Sequence, residues 1–160
     1  MSKGSGPPPR WLRCPRKGEL CHEKFLPFKV PLKAQYDSQV PEEYRFPPRM
    51  VFDLMKGRKK KVSNYNGIFL IKKYQIGLWI DLTKTDRYYD KEVVEDNECT
   101  YLKLACKGHG ECPSPEIVQT FINVVDNFIR KKPLHLIGIH CTHGFNRTGF
   151  LIVSYLVEVR

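Results

Sequence analysis

The sequence predicts an α/β domain with a central, mostly parallel sheet flanked by helices. Short apolar runs at residues 77–82, 101–105 and 134–139 have the length and the branched residues of buried strands. Between the second and third runs, apolar side chains recur at helical spacing. A strand, a helix and a further strand in this order favour parallel pairing, because the helix returns the chain to the starting end of the sheet.

Two further segments carry clear signals. Residues 25–30 are apolar but contain Pro27, which cannot donate to a sheet ladder, so an edge strand or an irregular lead-in is expected instead of a central strand. Ser114 and Pro115 form a helix start, with serine as the N-cap and proline in the first turn. The apolar residues that follow at helical spacing are Ile117, Phe121, Val124, Val125 and Phe128.

The last apolar segment, residues 150–157, has helical length and is expected to be buried against the sheet. Gly149 near its start would allow another part of the backbone to approach closely. The loop between this helix and the strand at 134–139 would lie at the carboxyl end of a strand, where such sheets bind ligands.

Composition narrows the class of protein. The 160 residues suit one domain, and a formal net charge of +10 favours acidic partners such as nucleic acid, anionic lipid or phosphorylated protein. We expect a disordered lead at residues 1–9, which is polar and proline-rich, and the folded domain at 10–160. The polar start of the sequence does not resemble a signal peptide, and no apolar run is long enough to span a bilayer. We therefore expect a reducing compartment, in which the six cysteines are free thiols.

Cys141 and Arg147 lie six positions apart in the loop before the last helix. The N–H groups and dipole of a helix N-terminus form a site for a phosphate-sized anion, and arginine adds a planar fork for two of its oxygens. The same positive potential would ionise the Cys141 thiol near neutral pH and create a nucleophile for phosphoryl transfer. A purely structural buried cysteine and a metal site with His140 and His143 are the competing interpretations.

The string from His140 to Leu151 resembles the signature loop of the cysteine-dependent phosphatases and of their dual-specificity branch. It is closer still to the RNA 5′-triphosphatase domain of metazoan mRNA capping enzymes. Matching strings cover most of the chain: Pro9-Arg10-Trp11-Leu12, Phe25-Leu26-Pro27, Tyr36-Asp37-Ser38-Gln39-Val40, Asp81-Leu82-Thr83, Arg87-Tyr88-Tyr89-Asp90 and Cys106-Lys107-Gly108-His109-Gly110-Glu111-Cys112-Pro113.

The resemblance implies a cysteine-phosphatase-like fold and removal of the γ-phosphate of nascent mRNA through a phosphocysteine intermediate, the first step of cap formation. Cys141, Arg147 and Thr148 would be catalytic, with His140 supporting the loop from behind. The phosphate-binding loop would comprise Thr142, His143, Gly144, Phe145 and Asn146. No metal or cofactor is implied. The implied partners are 5′-triphosphate RNA and the RNA polymerase II transcription machinery, with no membrane, and the implied location is the nucleus.

Other site residues are less defined. Asp81, Asp86 and Asp90 are possible general acids, although a diphosphate leaving group gains little from protonation. Possible substrate contacts are Lys107, His109 and Arg87. Cys106, His109 and Cys112 are spaced three apart, which also allows a zinc hypothesis with Cys99 as the fourth ligand.

Residues 57–70 depart from the capping-enzyme pattern. They contain the basic run Arg58-Lys59-Lys60-Lys61, and we expect a flexible inserted loop that serves as a nuclear-import signal, an RNA patch or a solvated surface. The resemblance also implies C-terminal helices and a guanylyltransferase domain that this sequence does not contain, so a C-terminally truncated domain is expected. The alternative functions are a dual-specificity protein or phosphoinositide phosphatase, and a non-catalytic fragment that binds RNA ends or a phosphoprotein.

Overall fold

The computed structural model describes residues 5–107 and 112–159 and confirms the predicted α/β class. The strands are β1 Phe25–Phe28, β2 Lys59–Ser63, β3 Phe69–Lys73, β4 Ile76–Asp81, β5 Thr100–Lys103 and β6 Leu136–His140. The α-helices are α1 Pro48–Asp53, α2 Glu92–Glu95, α3 Pro115–Lys131 and α4 Asn146–Glu158, and short 3-10 helices occupy Trp11–Arg13, Ala34–Gln39 and Glu42–Tyr44. Among these residues no helix has both the length and the apolar character needed to cross a bilayer.

Four strands form the main sheet in the order β1-β6-β4-β5, and every neighbouring pair is parallel. Strand β1 contains Pro27 and lies at an edge, as predicted, because its missing N–H would break a ladder in the interior. Strand β6 lies inside the sheet and is buried along its whole length. The loop that follows β6 is therefore surrounded by the carboxyl ends of neighbouring strands.

Each face of the sheet packs against its own hydrophobic cluster. One cluster contains Phe28 and Trp79 with side chains from α1 and α2, and the other contains Ile80 and Phe121 with side chains from α3 and α4. Helix α3 begins as predicted, since the Ser114 hydroxyl accepts the Ile117 N–H at 3.3 Å. Both clusters converge on β4 and β6, which makes these strands a rigid base for the loops at their ends.

Helix α4 is buried along one side only. Leu151, Ile152 and Tyr155 are buried, but Val153 and Val157 are 59% and 70% exposed. The helix is therefore buried against the sheet, as expected, but only along this side. A single helix packed on a sheet directs only one stripe of side chains toward it, so its other apolar residues stay exposed.

Residues 5–9 differ from the expected disordered lead. Pro8 is buried, and the carbonyl oxygen of Gly6 accepts a hydrogen bond from Arg87 Nη1 at 3.0 Å. Just beyond this segment Trp11 is buried and donates from its indole N–H to the Val30 carbonyl oxygen at 2.8 Å. The buried Trp11 thus holds the preceding residues against the domain.

The structure corrects the expected loop at 57–70. Strands β2 and β3 pair antiparallel from Lys59↔Lys73 to Ser63↔Phe69, forming a hairpin separate from the main sheet. In the turn, Asn64 Oδ1 accepts the N–H groups of Asn66 and Ile68, each at 3.0 Å, and Gly67 has a φ of +73°. An asparagine followed by glycine is a typical hairpin turn signal, and it marks this structure in the sequence.

Candidate active site

The loop between β6 and α4, residues 141–145, is supported by the end of β1. The Thr142 carbonyl oxygen accepts the Val30 N–H at 3.1 Å. Gly144 has a φ of +84°, and a Cβ atom on it would lie 2.8 Å from the Phe28 carbonyl carbon. Both observations require glycine at 144. Gly149, which was expected to permit a close approach, has open space around it, so that expectation is wrong.

Cys141 lies at the start of this loop and is 3% exposed. Burial raises the pKa of its thiol, but the Thr148 hydroxyl, the N–H groups of Thr148 and Gly144 and the charge of Arg147 lower it. The net pKa lies below the ordinary value for cysteine. The loop therefore favours a thiolate in spite of its burial.

The Thr148 hydroxyl is buried in the first turn of α4. Among the described residues, no group lies at standard hydrogen-bond geometry to the Thr148 hydroxyl. The hydroxyl is nevertheless close enough to the Cys141 sulfur to lower the pKa of that thiol. A buried hydroxyl without an acceptor is unfavourable, and a thiolate beside it would supply one. Ionisation of Cys141 would therefore give the Thr148 hydroxyl the hydrogen-bond acceptor that it lacks.

The Arg147 guanidinium lies where the ends of three strands meet. Its Nη2 donates to the Thr142 hydroxyl at 2.7 Å, and its Nη1 donates to the carbonyl oxygens of Cys106 at 3.1 Å and Leu82 at 3.5 Å. These acceptors follow β6, β5 and β4, respectively. The guanidinium is thus held beside the loop that contains Cys141, in a position to bind an anion.

His140 is fully buried directly behind the loop. Its Nδ1 lies 3.0 Å from the Cys141 carbonyl oxygen and its Nε2 lies 2.6 Å from the Tyr89 hydroxyl. Burial lowers the pKa of His140, which favours the neutral ring. Because a carbonyl oxygen only accepts, the proton lies on Nδ1, and Nε2 accepts from Tyr89.

Asp81 is the centre of a buried polar network next to His140. Its Oδ1 accepts the hydroxyl of Thr83 at 2.7 Å, and its Oδ2 accepts the hydroxyl of Tyr101 at 2.6 Å and the Lys103 ammonium at 3.1 Å. Burial raises the pKa of Asp81, but His140, these hydroxyl groups and Lys103 outweigh it, so the pKa is lowered. The carboxylate stays ionised, which favours a structural role over that of a general acid.

Comparison with known proteins identifies the family. The sequence profile of the dual specificity phosphatase catalytic domain matches residues 49–160, well over half of the chain. The chain belongs to the dual specificity phosphatase catalytic-domain family. It is 49% identical over 154 residues to an mRNA-capping enzyme of Danio rerio, covering 96% of this chain and 23% of that protein. It is 39% identical over 157 residues to an RNA/RNP complex-1-interacting phosphatase homolog of Caenorhabditis elegans, covering 95% of this chain and 61% of that protein.

These identities confirm the expected resemblance to mRNA capping enzymes. The chain spans about a quarter of the length of the capping enzymes that it matches. A crystal structure of a glycine-to-alanine mutant of Tk-PTP superposes with a TM-score of 0.59 at 14% identity, covering 91% of this chain and 73% of that one. At this identity the superposition supports the fold of the domain, a phosphatase-like parallel sheet flanked by helices.

Arg87, Lys107 and His109 were the predicted substrate contacts, and they differ in their surroundings. Arg87 donates to the Gly6 carbonyl oxygen and to the hydroxyl groups of Tyr36 and Tyr88 at 3.0–3.1 Å, so its guanidinium has internal partners. Lys107 is exposed and directly follows Cys106, whose carbonyl oxygen accepts from Arg147. His109, which was also expected in the zinc hypothesis, lies outside the described residues.

The two other candidate acids are exposed. Asp86 Oδ1 lies 3.5 Å from Lys103 Nζ, and its side chain is 91% exposed. Asp90 forms an ion pair with Lys33 at 3.3 Å, with its own side chain 64% exposed. Lys103 contacts both Asp86 and Asp81, so Asp86, and not Asp90, is connected to the polar network behind the loop.

Within the loop, the individual side chains have different surroundings. His143 Nε2 lies 2.6 Å from the Pro9 carbonyl oxygen, so the N-terminal segment contacts the loop from outside. Phe145 is 51% exposed. Asn146 is exposed and makes no side-chain hydrogen bond to the described residues, so Thr142 and His143 are the loop side chains that brace it.

Sequence reasoning missed the residues that surround Asp81. Tyr101 and Lys103 are two positions apart on β5, so their side chains lie on the same face of the sheet. Tyr89 comes from the loop before α2. The two-residue spacing of Asp81 and Thr83, typical of a side-chain turn, was the available local signal. The contacts with β5 required the sheet order, which places β5 next to β4.

Proposed function

We propose that this phosphatase domain is an RNA 5′-triphosphatase, which removes the γ-phosphate of nascent mRNA in the first step of cap formation. The observation that carries the proposal is the position of buried Cys141 in a loop shared with Arg147, at the N-terminus of α4, where the surrounding donors lower the pKa of the thiol. The identity to mRNA-capping enzymes over almost the whole chain supports RNA as the substrate. The net charge of +10 suits a polyanionic substrate.

In the proposed reaction the Cys141 thiolate attacks the γ-phosphorus in line. The S–P bond forms as the bond to the bridging oxygen breaks, and that electron pair leaves on the β-phosphate of the RNA. Arg147 would turn from the Thr142 hydroxyl to the equatorial oxygens of the transferring phosphoryl group, and loop N–H groups would hold the others. Water then cleaves the phosphocysteine, which releases phosphate and restores the thiolate.

Thr148 stabilises the sulfur at both ends of this cycle. Its hydroxyl donates to the thiolate before attack and again when the sulfur leaves phosphorus. His140 acts as a positioning residue, since its Nδ1–H holds the Cys141 carbonyl oxygen. Asp86 is the proposed acid if the reaction uses one, although a diphosphate leaving group is a weak base near neutral pH.

The proposed setting follows from the relatives. We infer that the domain acts in the nucleus on 5′-triphosphate RNA and works alongside the RNA polymerase II transcription machinery. The support is the similarity of the chain to mRNA-capping enzymes of Danio rerio, Mus musculus and Caenorhabditis elegans.

The test is release of phosphate from RNA labelled at the γ-phosphate. Wild-type protein should release label, and Cys141→Ser should reduce the rate by several orders of magnitude, because a serine hydroxyl is not ionised at neutral pH. Cys21→Ser is the matched control, since Cys21 is half-buried near the amino-terminal end of β1 and should leave the rate unchanged. Activity of the Cys141→Ser protein close to wild type would refute the covalent mechanism.

A protein phosphatase is the second candidate. It is favoured by 32% identity over 137 residues to a probable tyrosine-protein phosphatase of Caenorhabditis elegans. Assays of the same preparation on triphosphate RNA and on a phosphotyrosine peptide distinguish the two. A kcat/KM higher for the peptide would replace the RNA proposal.

A further inference from the structure

The hairpin formed by β2 and β3, here called the basic hairpin (residues 58–73), is not used by the proposed reaction. It contains six basic residues and no acidic residue: Arg58, Lys59, Lys60, Lys61, Lys72 and Lys73. Every side chain of β3 is exposed. The hairpin thus presents a strongly positive surface with its own secondary structure.

The arrangement of charges in the basic hairpin is unfavourable in isolation. Lys59 and Lys73 are directly opposite each other at the base of the hairpin, where like charges repel. None of Lys59, Lys61, Lys72 and Lys73 forms an ion pair with a carboxylate of the described residues. A two-stranded hairpin is itself only marginally stable in water. A polyanion bound across the lysines would remove the repulsion.

Aromatic side chains are interleaved with these charges. The Tyr65 ring is completely exposed in the turn, and Phe69 is 56% exposed. Lys61 Nζ lies 3.9 Å from the centroid of the Phe69 ring. The pairing register places Lys59, Lys61, Phe69 and Lys73 on the same face of the hairpin. Cations that contact phosphates, next to rings on which bases stack, form the recognition chemistry of single-stranded nucleic acid.

We propose that the basic hairpin binds single-stranded RNA at a position downstream of the 5′ end held by the active site. The choice of RNA rests on the proposed function. Strand β3 ends three residues before β4, at the end of the sheet opposite Cys141. Strand β4 separates the two places by roughly 17 Å. Only an RNA longer than a few nucleotides reaches both, so the hairpin contributes to binding in a length-dependent way.

An anionic membrane is the main competing partner, because Ile68, Leu70 and Ile71 are also exposed. Membrane-surface elements separate their apolar side chains from their charged ones. In the basic hairpin the two kinds share each face: Ile71 lies beside Lys61 and Lys73, and Leu70 shares a face with Lys72. This mixture favours a flexible polyanion with bases over a lipid surface.

The first test is binding of the full chain to a single-stranded RNA of about 20 nucleotides with a 5′-hydroxyl and a 3′ fluorophore, followed by fluorescence anisotropy. We expect Lys59→Gln/Lys73→Gln to weaken binding about tenfold. The slope of log K against log salt should fall by roughly 0.7 for each phosphate that the variant no longer neutralises. Tyr65→Ala/Phe69→Ala should weaken binding with no change in that slope. Arg130→Gln/Lys131→Gln, which removes the same charge from the exposed end of α3, is the matched control.

Two outcomes would overturn the inference. One is RNA affinity of the hairpin variants equal to that of the α3 control. The other is weakened binding confined to phosphatidylserine-containing vesicles, with RNA binding intact. Circular dichroism of each variant checks that the domain is folded, which is expected because these side chains lie outside the core.

A second measurement separates this inference from the proposed function. The lysine variant should raise KM for a long triphosphate RNA and leave KM for a triphosphate dinucleotide unchanged. Hairpin-dependent RNA binding without any release of γ-phosphate by wild-type protein would refute the triphosphatase and retain the hairpin site. Equal KM values of wild type and variant on both substrates would refute the hairpin site and retain the triphosphatase.

Discussion

The Tyr89 hydroxyl lies 2.6 Å from His140 Nε2, and both groups are buried behind the loop that contains Cys141. The same hydroxyl accepts the Trp79 indole N–H at 2.9 Å and lies 3.0 Å from Asp81 Oδ2. One phenol therefore joins strand β4 to the residue that precedes the candidate nucleophile. Removing it takes a hydrogen-bond partner from both His140 Nε2 and the Trp79 indole N–H.

Tyr89→Phe should destabilise the domain by about 2 kcal/mol, because His140 Nε2 and the Trp79 N–H each lose a buried partner. Urea denaturation measures this change. Tyr155→Phe is the control, since the Tyr155 hydroxyl is only partly buried and has one partner, Asp126 at 2.9 Å. A loss of stability no larger than that of Tyr155→Phe would contradict the role assigned to Tyr89.

Thr148→Val should raise the pKa of the Cys141 thiol, because a methyl group of similar shape replaces the donor to the thiolate. The rate of alkylation by iodoacetamide against pH reports this pKa. In wild-type protein the midpoint should lie below the ordinary value for cysteine, as the net lowering requires. Thr120→Val, at an exposed position of α3, should leave it in place. An unchanged midpoint in Thr148→Val would argue against the hydroxyl–thiolate contact.

Gly144→Ala should lower phosphate release by at least about tenfold, with a loss of stability of roughly 1–3 kcal/mol, because the Cβ atom collides with the backbone of β1. Gly149→Ala is the paired variant. Its Cβ would meet nothing, and alanine should stabilise α4 by up to about 1 kcal/mol. Thermal denaturation and phosphate-release assays of both variants test the contrast. Equal effects of the two substitutions would refute it.

Asp81→Asn should destabilise the domain by about 3 kcal/mol at neutral pH, because a buried ion pair with Lys103 is broken. The pKa of Asp81 is lowered in the folded protein, so its stabilisation is fully present above the unfolded pKa, about 3.9, and is lost as pH falls through the folded pKa. The difference between wild type and variant in urea denaturation should therefore shrink in acid.

Asp90→Asn is the control for this measurement, since its ion pair with Lys33 is exposed and should contribute less than about 1 kcal/mol. A gap between wild type and Asp81→Asn that is the same at neutral pH and in strong acid would contradict an ionised Asp81.

Local signals were sufficient for much of the fold. The N-cap at Ser114, the edge position of the strand with Pro27 and the loop after β6 all depend on residues close in the chain. The hairpin at 59–73 was missed although Asn66-Gly67 marks its turn, because the lysine run suggested a solvated loop. Gly149 was given a role that belongs to Gly144, since only the neighbouring strand β1 shows where a Cβ atom would collide.

By itself, the sequence determined which reactive groups the site contains. They are a cysteine and an arginine in one loop, between the end of a buried strand and the start of a helix. Tertiary structure decided the surroundings of that loop. It placed Thr148 beside the sulfur, placed His140 and Tyr89 behind the loop, and gave Asp81 partners on β5 that hold it ionised. The reason is physical: residue types and helix and strand signals act over a few positions, whereas pKa values and burial depend on groups that only folding brings together.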